Sequence, residues 1–226
     1  MKAVFAALLA LVALASVAAY SVLKPPPQAS APIEVAVAQQ TTPTTSDSAA
    51  RVYQIEPGAS TARFVVDEIL QGAPKTVVGA TDQVAGQIVV DPADLDTVQV
   101  GTILINARTF ATDSTQRDRM IQNQILKTAQ NEYITFTPSA VVGLPDGPAA
   151  GTSLPVQVVG DLTIGGVTRP VTFDASVTPA STDRLAGSAT TTIRYADWGI
   201  AIPQVPVVAG VADTVQLQLD FTATAA

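Results

Sequence analysis

Read from its residues alone, the chain is an all-β protein whose antiparallel strands form either a closed barrel or a sandwich. Three features lead there. The segment VVGDLTIGGVTRPVTFDASV, Val158 to Val177, sets Gly165 and Gly166 between two runs rich in Val, Thr, Ile and Phe, and paired glycines supply the positive φ that a two-residue hairpin turn demands. Near the C-terminus Val215, Leu217, Leu219 and Phe221 alternate with Gln216, Gln218, Asp220 and Thr222, the period of a strand that is apolar on one face and wet on the other. Elsewhere in residues 51–226 short apolar runs are punctuated by Gly, Pro and Asp, giving in all about eight strands and one helical interruption.

In chain order, residues 1–23 come first. Ala3 to Leu23 is an unbroken apolar run flanked by Lys2 and Lys24, long enough at about 1.5 Å per residue to cross a hydrocarbon core of roughly 30 Å. Small residues at Ala13/Ala15 and Val17/Ala19 would suit a cleaved signal peptide. The length of the run, and the Pro/Ala/Thr/Ser/Gln tether over residues 24–50, favour an uncleaved helical anchor. Either way the sequence predicts that the domain over residues 51–226 is exported.

Within that domain Ala62–Val66 and Gln83–Val90 alternate imperfectly, with Gly79, Gly86 and Asp91-Pro92 as breaks, and Val98–Asn106 reads as a longer strand. Asp113 followed by Gln116 resembles a capping box, and Met120, Ile121, Gln124 and Ile125 fall at helical spacing, so one short helix is expected over Asp113–Lys127. Ile134–Thr137 is a brief strand, and Gly143–Pro155 a turn-rich loop. If Ile164 pairs with Val167, one face of the organising hairpin carries Val156, Val158, Gly160, Leu162 and Ile164 opposite Val167, Arg169, Val171, Phe173 and Ala175. Pro170 has no N–H for a ladder and implies a bulge or a locally unpaired position. Leu185–Tyr195 alternates weakly before the last strand.

Composition narrows the chemistry. The charge is −7, from 12 basic and 19 acidic residues, and the basic residues form no run or stripe that would track a phosphate backbone. With no Cys and no His the chain lacks a thiol nucleophile, a disulfide framework, the usual general base and the commonest transition-metal ligand. Ser60, Ser114 and Ser188 therefore have no partner for a Ser-His-acid triad.

Several fragments, in order, resemble the YceI family of exported, lipocalin-like proteins that bind lipid or polyisoprenoid. They are YQIEPGAS at Tyr53–Ser60, Gly86-Gln-Ile-Val-Val-Asp91, RTFATDSTQRD at Arg108–Asp118, ITF at Ile134–Phe136, GDLTIGGVTRPV at Gly160–Val171 and IRYADWGI at Ile193–Ile200. The resemblance spans about Val52 to Thr224 and implies an extended antiparallel eight-stranded barrel holding a long apolar ligand, here preceded by an apolar helix and a disordered linker. The chain departs from the family pattern at Ala59, where a His is usual, and at Glu132, where a Pro is usual.

Alternation and resemblance together nominate the ligand-binding residues: Phe64, Val66, Ile88, Phe110, Phe136, Val158, Leu162, Val171, Phe173 and Trp198 facing inward, with Gly160 leaving a gap in the hairpin's bulky row. Arg169, on the apolar face near the turn, either reaches the rim or meets a ligand head group. Arg117-Asp118 would place charge at the barrel mouth or form a surface ion pair. Tyr195 and Trp198 either plug one end or touch ligand. Asp91, Asp94 and Asp96 lack the glycine and closing glutamate of a calcium loop, and no metal or cofactor is assigned. The expected function is non-catalytic binding or carriage of a lipid, polyisoprenoid or isoprenoid quinone on the extracytoplasmic side of the membrane, with a homodimer left open. Two alternatives stand beside it. A buried carboxylate pair would favour an enzyme acting on lipid or glycan, and a filled interior would favour a surface interaction module.

Overall fold

The structure is a computed structural model, in which residues 30–33, 50–92, 94–144, 151–204 and 208–226 are described. The expected membrane helix and most of the tether lie outside those residues, and no helix among the described residues is long and apolar enough to cross a membrane. Thirteen antiparallel strands make one curled sheet. They are β1 (Arg51–Ile55), β2 (Thr61–Leu70), β3 (Ala73–Thr81), β4 (Val84–Ala85), β5 (Gln87–Asp91), β6 (Asp94–Val100), β7 (Ile103–Asn106), β8 (Tyr133–Val142), β9 (Leu154–Ile164), β10 (Val167–Ser181), β11 (Arg184–Arg194), β12 (Val208–Val211) and β13 (Thr214–Ala225).

The count exceeds the eight expected because breaks of one to five residues divide otherwise continuous runs. Glu56–Ser60 separates β1 from β2, and Gly86 alone separates β4 from β5. Neighbours run β4, β7, β8, β9, β10, β11, β13, β1, β5, β6, and β2 joins β13 to β3 and β12. β4 at one end continues through Gly86 into β5, and β6 at the other end continues through Gly101 and Thr102 into β7, so the chain itself links the two ends of this order. Ser60 fixes the first bend: its Oγ accepts from the Thr222 N–H at 3.1 Å and donates to the Thr222 carbonyl at 3.3 Å, so a buried hydroxyl is satisfied on both counts.

The organising hairpin forms in the expected register, with Ile164 opposite Val167, Leu162 opposite Arg169 and Gly160 opposite Val171. Gly165 and Gly166 have φ of 59° and 82°, as the turn requires. Pro170 causes no bulge. It faces Asp161 in unbroken register, and β11 joins the other edge of β10 only from Asp174 onward, so no ladder is interrupted there. Alternation under-read the strands at their ends: β10 runs on to Ser181, and β3 and β12 went unpredicted.

The helical insertion is shorter than expected. An α-helix, α1 (Thr115–Met120), passes into a π-helical turn at Ile121–Ile125. Its cap is Ser114 rather than Asp113, the Ser114 hydroxyl accepting from the Arg117 N–H at 3.4 Å, which leaves the Asp113 carboxylate free to pair elsewhere. Within the stretch read as tether, Ile33 is fully buried against Ala85, Leu104 and Tyr133. The main core is apolar and lines the inside of the curl, from Tyr53, Ile55 and Ile88 round to Leu162, Leu185 and Phe221. Each fully buried aliphatic or aromatic side chain contributes about 1.5–3 kcal/mol relative to exposure.

Candidate functional site: two apolar cavities inside the sheet

The inside of the sheet is hollow. One cavity of about 450 Å³ is lined by Ile88, Phe136, Val158, Leu162 and Phe173 among the predicted residues. A second of about 510 Å³ takes Phe64 and Val66, with Met120, Ile121 and Ile125 closing it from the helical insertion. Four residues, Phe110, Ile134, Ile164 and Leu217, line both cavities and form the wall between them. Such volumes, walled by aliphatic and aromatic side chains, are the size of lipid and cofactor sites.

The wall depends on a stack. Phe110 meets Phe64 edge to face with ring centroids 5.4 Å apart. Phe64 lies directly over Gly79, its partner across the β2–β3 ladder, so closely that a Cβ at Gly79 would sit 2.1 Å from the ring. Only glycine fits beneath it. In the first cavity Phe136 and Phe173 make a similar edge-to-face pair at 4.9 Å.

Not every nominated residue faces a void. The gap expected at Gly160 is filled: a Cβ there would lie 2.5 Å from the Thr137 carbonyl oxygen, 2.7 Å from Pro138 Cα and 2.9 Å from the Phe136 ring. The hairpin pattern gave its face but not how closely the neighbouring strand β8 packs beside it. Val171 packs against the core without lining either cavity. Trp198 is likewise wall, buried in the core with its indole N–H donating to the Leu162 carbonyl at 3.0 Å. Tyr195, its neighbour, does line the second cavity. Arg169 is exposed at the rim, where its Nε donates to the Asp197 carbonyl at 3.1 Å across the 3-10 turn Tyr195–Trp198.

Sequence reasoning missed the inward row of the last strand, Leu217, Leu219 and Phe221, although its alternation was the cleanest in the chain. It also missed the polar end of the second cavity. Arg117 does not pair with Asp118; its guanidinium bonds Glu68 Oε1 at 2.9 Å and also holds Asp113, which in turn accepts from Lys75 Nζ at 2.5 Å. Glu68 is 8 % exposed and Arg117 19 %. The Lys75 hydrogen bond, opposed by burial and reinforced by Arg117, holds the Asp113 carboxyl below its ordinary 3.8, so Asp113 carries charge rather than a transferable proton near neutrality. Glu68 and Asp113 are thus two carboxylates clamped by one guanidinium. At the far end of the first cavity Arg51 Nη1 and the Tyr53 hydroxyl both donate to the Thr182 carbonyl at 2.8 Å, tying β1 to the β10–β11 turn. The departure at Glu132 is accommodated by an ion pair with Arg108 at 3.0 Å.

Solved structures that share this fold include the following two. A polyisoprenoid-binding domain from Saccharophagus degradans, described as implicated in plant cell wall breakdown, superposes with a TM-score of 0.60 at 18 % identity, covering 77 % of this chain and 98 % of that one. BcnA of Burkholderia cenocepacia gives 0.58 at 20 % identity, over 75 % and 99 %. None of the curated proteins matches the sequence. The YceI-like domain family matches over residues 53–223, from the first strand to the last: the chain belongs to that family.

Proposed function

We propose that this domain binds or carries a long apolar lipid, a polyisoprenoid or an isoprenoid quinone, within the curled sheet and without chemical turnover. The observation that carries the reading is the pair of adjoining cavities walled by Phe, Ile, Leu and Val. The fold shared with a polyisoprenoid-binding domain supports it. At roughly 0.8 kcal/mol per buried CH₂, a dozen carbons offer about 10 kcal/mol before entropic losses, enough for micromolar affinity without a strong polar contact. We read the curled sheet, its collinear breaks bridged, as the eight-stranded barrel the family resemblance implies, a reading supported by the pairings of β13 with β11, β2 and β1. The hollow interior weighs against a solid-core interaction module. The ion-paired state of Glu68 and Asp113 weighs against a carboxylate enzyme.

The apolar run Ala3–Leu23 and its Pro-rich sequel would hold the domain on the outer side of the membrane. Native mass spectrometry of the protein released gently from a membrane-containing host tests the binding reading. An apolar adduct of discrete mass is expected. Protein that emerges ligand-free, and takes up no polyprenol or quinone on incubation, would refute it. Fractionation tests the location, the expected result being retention in the membrane through high-salt washing.

A further inference from the structure

We infer that the interior is selective for chains with an uncharged oxygen head, an alcohol or a carbonyl, and discriminates against the same chains bearing a phosphate or diphosphate. This rests on the reading that an apolar chain binds inside the sheet. Four cations line the two cavities among the described residues: Arg51 and Arg63 in the first, Lys75 and Arg117 in the second. A phosphate head would need at least one of them. Each is already held by a carboxylate: Arg51 by Asp183 at 3.2 Å, Arg63 by Asp220, Lys75 by Asp113 at 2.5 Å, and Arg117 by Glu68 at 2.9 Å and by Asp113.

The four pairs differ in strength, and that places the head. Arg51–Asp183 is 45 % and 72 % exposed, a loose surface pair that an anion could displace. It closes an end of the first cavity already tied by two hydrogen bonds to the Thr182 carbonyl. The Arg117–Glu68 pair is mostly out of water, and removing one partner of such a pair leaves the other charge buried and uncompensated. Ser114 and Gln116 line the same end of the second cavity.

An alcohol there donates to a carboxylate and accepts from a guanidinium or amide without breaking any ion pair, and a carbonyl accepts likewise. A diphosphate would bring its charge against the Glu68 and Asp113 carboxylates, in a chain already carrying −7. Like charges repel, and screening is weakest at the Glu68 carboxylate, which is 8 % exposed.

The test uses the full chain stripped of lipid and two probes with one tail, geranylgeraniol and geranylgeranyl diphosphate, each below its aggregation limit. The alcohol is expected to bind at least about tenfold more tightly. Because the two probes also differ in their affinity for water, the decisive reading compares the same probe across conditions. Raising the salt concentration should strengthen diphosphate binding by screening the repulsion, whereas a phosphate held by an available cation would bind more weakly in salt. Glu68→Gln should raise diphosphate affinity at least about threefold and so narrow the alcohol's advantage over the diphosphate. Diphosphate binding that matches or exceeds the alcohol, or that weakens with salt, overturns the selectivity and leaves the apolar interior standing as a site. Failure of both probes to bind overturns the binding reading itself, and this inference with it.

Discussion

Replacing Gly79 with Ala tests the packing that shapes the second cavity. The added Cβ would lie 2.1 and 2.2 Å from two carbons of the Phe64 ring, where ordinary carbon–carbon contact begins near 3.5–4.0 Å, so the ring has to move by more than an ångström. It cannot move freely, because its other side meets Phe110. Overpacking of this kind costs about 1–3 kcal/mol, and disturbing an edge-to-face pair adds about 0.5–1.5 kcal/mol. Relief of glycine's excess entropy in a strand returns about 0.5–1 kcal/mol. The net expectation is a loss of about 2 kcal/mol. In a Phe64→Ala background the obstacle is gone, so the same Gly79→Ala change should be neutral or slightly stabilising, and the coupling between the two sites should be about 2–3 kcal/mol. Urea unfolding reads this directly, since the only tryptophan, Trp198, is buried in the core and reports its exposure. Gly160→Ala is the contrast. There the nearest atoms are the Thr137 carbonyl oxygen and Pro138 Cα, backbone that no side-chain truncation removes. Equal costs for Gly79→Ala with and without Phe64 would show that the ring does not lie over that glycine.

Phe110→Ala should join the two cavities, lowering stability by about 3 kcal/mol and shifting preference toward longer or bulkier chains in a series of polyprenols; an unchanged length preference would mean that Phe110 is no partition. Arg169→Ala removes a rim contact to the Asp197 carbonyl, so stability should change by less than about 1 kcal/mol with ligand affinity unaltered, and a tenfold loss of affinity would assign Arg169 to the head group after all. Asp113 has a lowered carboxyl pKa, so it contributes stability above its ordinary 3.8 and loses that contribution as pH falls through its still lower folded value. The melting temperatures of the wild type and Asp113→Asn should therefore differ above about pH 4 and converge below it, and a gap that widens on acidification would contradict the ion pairing.

The organising hairpin could be read from sequence because both of its determinants are local: two glycines at the turn and a strict alternation on either side. The cavity lining from Ile88, Phe136, Val158, Leu162 and Phe173 followed from the same period. What the period could not show was depth. Gly160 shares a face with Leu162, yet its ladder neighbours on β8, the Thr137–Pro138 backbone, and the Phe136 ring take up the space beside it, and Trp198 points at a neighbouring strand rather than into the lumen. β3 escaped notice because Pro74 and Gly79 interrupt its pattern, and the reason for Gly79 lies in Phe64, fifteen positions earlier and directly opposite it. The charged end of the second cavity was the least legible part. Glu68, Lys75, Asp113 and Arg117 come from β2, β3, the loop before α1, and α1 itself, and no spacing in the sequence announces that the sheet will curl to bring them together.

The hollow interior has its own thermodynamic consequence. An apolar void left dry forfeits the contacts its walls would otherwise make, and the loss grows with its volume. A cavity of about 450 Å³ walled by Phe, Ile, Leu and Val is costly to leave dry and offers water few of the two to four partners it requires. A resident chain resolves both problems, because it restores the missing contacts in the folded state and has no comparable site in the unfolded one. Stripping lipid from the purified protein should lower its melting temperature, and adding back a polyprenol at one hundred times its dissociation constant should restore about 2.7 kcal/mol. The stabilisation should rise with chain length until the lumen is full, and then level off. A stripped protein as stable as the lipid-loaded one, with no response to any chain length, would show that the cavities close by repacking, and that the glycine-backed rings of Phe64 and Phe136 are not holding the walls apart.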